Sequence, residues 1–280
     1  MGTEKSILLS CRPMNYQRIL PIPALQQYVR YFGVLESDDA GAGKSFGIVA
    51  DGCPGLIFQE NPDAFLDHSG NVLPQLFLHG LTTKHSGKTT KGSFRNIGVY
   101  FQSHAIKAIF GTDACELTNR YVDLQTLLNN DLASQLLEAT STGKKIQILS
   151  LFLCDRIDQN KHREDQRTAW TLERIIKQGA ETSLPKIQAE LDLSERSLER
   201  IFKTDIGISP KLFTRITRFQ SSLNHLRSQK FDSLTDVALS NLFYDQSHYI
   251  REFKEFAGVT PKQFLRQAHE QAVNFPEWRA

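Results

Sequence analysis

Residues 200–213 read RIFKTDIGISPKLF, and residues 251–264 read REFKEFAGVTPKQF. A constant offset of 51 pairs Arg200 with Arg251, Phe202 with Phe253, Lys203 with Lys254, Gly207 with Gly258, Pro210 with Pro261, Lys211 with Lys262 and Phe213 with Phe264. Self-similarity at one fixed period is the mark of a duplicated structural unit. Upstream the pairing continues through Leu198/Tyr249 and Ser194/Asp245, and Ser and Asp are both good helix N-caps. Earlier still the offset falls to 50, as in Leu184/Leu234 and Ile187/Val237, so the second copy carries one extra residue in its turn. Each copy predicts a helix, a tight turn, a capped helix, a glycine stop and a proline-initiated next helix.

Such a unit has a physical use. Leu198, Ile201 and Phe202 bury one side of the capped helix against the helix before it. Glu195, Arg196, Ser197, Glu199, Arg200 and Lys203 then point elsewhere, and Gln246, Ser247, His248, Arg251 and Lys254 do the same in the second copy. A helix held in this way can lie in the DNA major groove with its first turns at base edges, where Arg suits guanine and Gln suits adenine. The alternative is a plain helical repeat in which Arg200 and Arg251 pair with buried acids. Two tandem copies separated by a basic segment weigh against it.

That segment, PKLFTRITRFQSSLNHLRSQ from Pro210, places Phe213, Ile216, Phe219, Leu223 and Leu226 on one helical face, which predicts a stiff spacer. The second unit opens with S-L-T-D at Ser233–Asp236, a capping box. Readers on adjacent major-groove segments would stand about 34 Å apart. Between Arg200 and Arg227 six bases face the single acid Asp205, although the whole chain carries only +2. Concentrated charge of this kind suits a phosphate backbone and marks Lys203, Lys211, Arg215, Arg218 and Lys254 as expected phosphate contacts.

The first half is of another kind. YFGVL, FGIVADG, PGLIF, LPQLFLHG and NIGVYF are short apolar runs bounded by Gly, Pro, Asn or Asp, and they predict a small β-barrel or sandwich over about residues 25–103. From Ser103 the apolar spacing changes to three and four, which predicts two or three closing helices. DRIDQNKHREDQ, from Asp155, holds one apolar residue and reads either as a linker or as an extension of the preceding helix. Trp170, Leu172, Ile175 and Ile176 then open a helical half. The expected division is residues 1–155 as a β-barrel with helices, 156–168 as linker, 169–271 as the double helix-turn-helix domain and 272–280 as tail. The fold class is α+β.

Composition excludes several other classes. The 280 residues suit two domains, and 40% hydrophobic with 23% charged residues is ordinary for a globular protein. The N-terminal apolar run is too short for a signal-peptide core, and no run of eighteen apolar residues occurs, so the expectation is a cytoplasmic chain with no membrane partner. Cys11, Cys53, Cys115 and Cys154 form no C-x-x-C pair, which predicts free thiols.

Over roughly Arg174–Arg266 the chain resembles the AraC/XylS family of bacterial transcription regulators. The resemblance rests on S-x-x-x-L-x-R-x-F-K-x-x-x-G-x-S-P from Ser194 to Pro210 and on FYDQSHYIREFKEFAGVTPKQF from Phe243 to Phe264. It implies base contacts at Arg196, Glu199 and Arg200 in the first unit and at Gln246, Ser247, His248 and Arg251 in the second. It also implies double-stranded DNA and RNA polymerase as partners. Three residues depart from the family pattern: Gln188 stands where a small Ala is usual, and Asp192 and Leu242 stand where Gly is usual. The N-terminal half, through PIPALQQYVRYF, VADGCPGLIF, NIGVYF and LTNRYVDL, is similar to the cupin-like sensor domain of a subset of these regulators. That similarity implies a β-barrel followed by helices, with a small-molecule effector pocket; a homodimer through the N-terminal domain is a separate expectation that no heptad seam marks.

His68, His79, His85 and His104 lie in the β-rich half, yet no H-x-H pair and no carboxylate at ligand spacing accompany them, so no metal and no cofactor is expected. G-x-S-x-G, H-E-x-x-H and Gly-rich phosphate loops are also lacking, and no catalytic residues are expected. A cupin-like metal enzyme carrying a DNA-binding tail and an architectural DNA-binding protein without sequence preference are the alternatives.

Overall fold

The computed structural model describes residues 15–38, 45–160, 168, 170–171, 174–175 and 183–270. Nine strands fill the first half: β1 (Asn15–Ile19), β2 (Val29–Ser37), β3 (Ser45–Ile48), β4 (Gly55–Gln59), β5 (Phe65–Leu66), β6 (Leu76–His79), β7 (Ser86–Thr90), β8 (Phe94–Phe101) and β9 (Tyr121–Asp123). They form a six-stranded sheet ordered β1-β2-β8-β4-β6-β9 and a three-stranded sheet ordered β3-β7-β5. All the pairings are antiparallel. The five apolar runs foreseen from sequence are β2, β3, β4, β6 and β8. Sequence patterning missed β7, whose residues SGKTT are polar, and the sheet begins at Asn15 rather than near residue 25.

Strand alternation divides the large sheet into two faces. Phe32, Val34, Leu56, Phe58, Leu76, Leu78, Ile97, Val99 and Phe101 point to one side and join a core with the helices that follow. Those helices are α1 (Ala105–Phe110), α2 (Leu124–Leu128), α3 (Leu132–Glu138) and α4 (Thr142–Asn160). The opposite face, with Leu35, Ile57, Phe77 and Tyr100, looks across a cavity of about 350 Å³ toward Ile48, Phe65 and Lys88 of the small sheet. Of the expected linker, residues 156–160 are the last turns of α4. Asn160 is buried there, its Nδ2 donating to Ile109 O at 2.9 Å, so a polar sequence is kept helical by a buried hydrogen bond. Residues 161–167 and 272–280 lie outside the described residues.

The second half is α5 (Leu184–Leu191), α6 (Glu195–Asp205), α7 (Pro210–Ser228), α8 (Leu234–Ser240), α9 (Gln246–Ala257) and α10 (Pro261–Glu270). Phe213, Ile216, Phe219, Leu223 and Leu226 of α7 are all buried, as the spacer pattern predicts, and Ile175 joins the same core. Leu172 and Ile176 lie outside the described residues. Val49, Ala50 and Leu81 of the β half also enter this core, so the halves share apolar packing. Polar contacts cross it too: Ala50 N–H donates to Phe256 O at 3.1 Å, Gln220 Nε2 to Ala50 O at 2.6 Å, and Lys107 pairs with Asp205 at 3.1 Å.

Candidate nucleic-acid interface

The two units repeat one construction. In the first, Ser194 Oγ accepts from Ser197 N at 3.2 Å and starts α6. In the second, Asp245 Oδ1 accepts from His248 N at 2.7 Å and starts α9. The preceding turns hold Asp192 at φ +51° and Leu242 at φ +54°, equivalent positions at the offset of 50. An Asp tolerates this left-handed conformation better than a Leu does. The extra residue of the second turn is Tyr244, which is 88% exposed and stands directly before the cap of α9. Its sequence signal was the change of offset. The cap at Ser233 forms as read, with Asp236 N donating to Ser233 Oγ at 3.2 Å, while the Asp236 carboxylate accepts from the Ser233 hydroxyl at 2.8 Å in place of the backbone N–H that a full box engages.

On α6, Leu198, Ile201 and Phe202 are buried, while Arg196, Glu199, Arg200 and Lys203 are exposed. These four and Ser197 line one shallow open depression. On α9, Tyr249, Phe253 and Phe256 are buried, and Ser247, Arg251 and Lys254 are exposed. Among the described residues neither Arg200 nor Arg251 has an ion-pair partner, which removes the main support for a plain structural repeat. Lys211 and Lys262, one on each helix following a glycine stop, are exposed as well. Lys262 was visible in the repeat as the partner of Lys211.

Three residues expected at the interface are committed elsewhere. Arg215 Nε donates to Glu252 Oε1 at 2.6 Å and its Nη2 to Glu255 Oε2 at 2.6 Å, while Arg218 Nη2 donates to Glu252 Oε2 at 2.9 Å. Arg215 also lies over the Phe256 ring and Arg218 over the Phe243 ring. Both arginines therefore staple α7 to α9 rather than standing free for phosphates. Burial would by itself raise the Glu252 carboxyl, but the hydrogen bonds and charges of Arg215 and Arg218 hold it below its ordinary value. The equivalent of Glu252 in the first unit is Ile201, so only the second unit needs the staple. His248 is the third: half-buried, its Nδ1 accepts from Tyr244 N at 3.3 Å and its Nε2 lies 3.5 Å from Glu252. Gln246 is half-buried, with Oε1 3.5 Å from the Thr235 hydroxyl.

The cavity of the β half is walled mainly by apolar groups. Burial, aided by the charge of Lys88, lowers the His79 imidazole to about 4. His79 is thus neutral near pH 7. Burial lowers Lys88 to about 8, against the opposing pull of Asp67. Among the described residues no three His, Cys, Asp or Glu come together as a metal site.

Residues 187–267 match a family of helix-turn-helix domains. This segment is an AraC/XylS-type helix-turn-helix domain. Residues 17–123 match a family described as a domain of unknown function (DUF6597). Over 105 residues, 37% of this chain and 35% of the relative, the chain is 30% identical to the HTH-type transcriptional regulator MtrA of Neisseria gonorrhoeae. Over 121 residues, 43% of this chain and 33% of the relative, it is 28% identical to the bifunctional transcriptional activator/DNA repair enzyme Ada of Escherichia coli (strain K12). The chain thus spans about a third of the length of these relatives. Among solved structures, ToxT from Vibrio cholerae has 11% identity and a TM-score of 0.46, covering 91% of this chain and 98% of that one. The AraC/XylS-type domain holds both capped helices, α6 and α9, together with the spacer α7 between them.

Proposed function

We propose that the protein is a cytoplasmic, sequence-specific DNA-binding transcription regulator, in which α6 and α9 enter successive segments of one major groove. The observation that carries this reading is the duplicated capped helix, which presents Arg200 and Arg251 at equivalent, exposed positions without an ion-pair partner among the described residues. Base contacts fall to Arg196, Glu199 and Arg200 on α6 and to Gln246, Ser247 and Arg251 on α9. His248 orients the start of α9. Phosphate contacts fall to Lys203, Lys211, Lys254 and Lys262, with Tyr244 at the groove edge. The β half serves as a sensor for a small-molecule effector and as the surface for a homodimer, and RNA polymerase is the partner through which DNA binding acts.

Selection of bound duplexes from a randomised pool, with the purified full chain, tests the reading. The expected product is a site with two conserved blocks about one helical turn apart. Arg200→Ala should relax one block and Arg251→Ala the other. Equal recovery of scrambled duplexes would leave an architectural DNA-binding protein and overturn the regulator.

A further inference from the structure

The two glycine stops of the duplicated module, Gly207 and Gly258, end the reading helices at equivalent positions, and the β half covers both. Gly207 has φ +95°, and a Cβ there would stand 2.5 Å from Thr118 Oγ1 and 2.8 Å from Ala114 O. The Thr118 hydroxyl also donates to Gly207 O at 2.8 Å. Gly258 has φ +78°, and a Cβ there would overlap the His85 imidazole. One segment of the β half, Ala114–Thr118, thus grips the first unit, and His85 grips the second.

The two gripping segments are tied to each other. Asn119 accepts from Thr83 N at 2.8 Å and donates from Nδ2 to Thr83 Oγ1 at 2.8 Å, while Asn119 N–H donates to Leu81 O at 2.9 Å. The same cavity is lined by His85 itself, by Thr82, and by Asn119 and Arg120, which directly follow Ala114–Thr118 in the chain. Whatever fills that cavity therefore meets His85 and the Asn119 tie, next in the chain to the Thr118 contact that holds the end of α6.

The cavity itself indicates the ligand. Its volume of about 350 Å³ suits a small molecule, and Leu35, Ile57, Phe65, Phe77 and Tyr100 supply apolar wall. Lys88 stands within it, its ammonium 5.0 Å from the centre of the Phe77 ring and 5.7 Å from that of Tyr121. Among the described residues no acid lies within ion-pair distance of it. Asp67, the acid that acts on it, is already engaged by Ser69 N, Asn71 N, Asn71 Nδ2 and the Tyr121 hydroxyl. An ammonium in an apolar wall without a paired anion favours a ligand that brings one.

We infer that the cavity takes a compact, largely apolar molecule carrying one anionic group, held by Lys88. Its binding shifts the Asn119-tied segments and so resets both reading helices through Gly207 and Gly258. The inference rests on the regulator reading and is tested separately from it. Anilinonaphthalene sulfonate and its neutral counterpart N-phenylnaphthylamine, titrated into the full chain by fluorescence, isolate the anionic group. The sulfonate should bind one site per chain roughly tenfold tighter than the neutral probe, the scale of one charge-assisted contact. Lys88→Met should erase the preference while sparing the neutral probe, and Lys88→Gln serves where Met does not fold. Saturating sulfonate should change affinity for the selected duplex by roughly fivefold or more, and Asn119→Ala should bind the probe yet lose most of that response. Equal binding of the two probes, a sulfonate preference that survives in Lys88→Met, or a duplex affinity indifferent to bound sulfonate would each overturn the inference. A chain that selects no duplex even without probe refutes the regulator reading instead, and the probe titrations still decide the ligand class.

Discussion

Glu252→Ala separates two accounts of Arg215 and Arg218, as phosphate contacts or as a staple between α7 and α9. The substitution leaves two guanidinium groups around a buried site that has lost its charge. Removing one partner of a buried ion pair costs about 3–5 kcal/mol. Here the Arg215 and Arg218 side chains are 29% and 19% exposed, and Arg215 retains Glu255 at 2.6 Å. Water and the second acid recover part of the loss, so about 2–3 kcal/mol is expected. Urea denaturation followed by circular dichroism reads it, and the double variant with Arg218→Ala should show coupling of about 1 kcal/mol or more. Acid titration gives an independent check of sign. A carboxylate whose folded value is depressed stabilises the fold above its unfolded value, and that contribution is lost as pH falls through the folded value. Stability should therefore drop as pH falls below the ordinary 4.5 of a glutamate, and Glu252→Gln should flatten that drop. A cost below about 0.5 kcal/mol for Glu252→Ala, together with uniformly weaker DNA binding in Arg215→Ala and Arg218→Ala, would refute the staple.

Arg251→Ala should cost about 1–3 kcal/mol of affinity and relax selectivity at one base position, whereas Lys211→Ala should weaken all duplexes alike and lower the salt dependence, both read by anisotropy titration at several salt concentrations. Leu242→Gly should raise the melting temperature, because the left-handed conformation at φ +54° costs a branched side chain about 1–2 kcal/mol and the Leu is exposed; a lower melting temperature would mean that the side chain contributes packing that its exposure conceals. Asp245→Ala removes the cap that receives His248 N at 2.7 Å and should cost about 1 kcal/mol of stability in thermal melts.

The sequence by itself determined the duplicated unit: its caps, its glycine stops, the spacer face and the turn where one residue is added. These are local properties, since a cap needs a donor three residues away and a helix face needs only its own period. It also determined that the first half is built of strands, wherever the runs were apolar. The polar β7 escaped notice because its place is set by pairing with β3 and β5, not by its own pattern. Tertiary structure alone decided which basic residues stay free. Arg200 and Arg215 look alike in a list of charges, but Arg215 meets an acid 37 residues away and Arg200 meets none among the described residues. Only the fold, too, brought Thr118 and His85 of the β half against the two glycine stops, because contacts between distant segments depend on packing that no periodicity encodes.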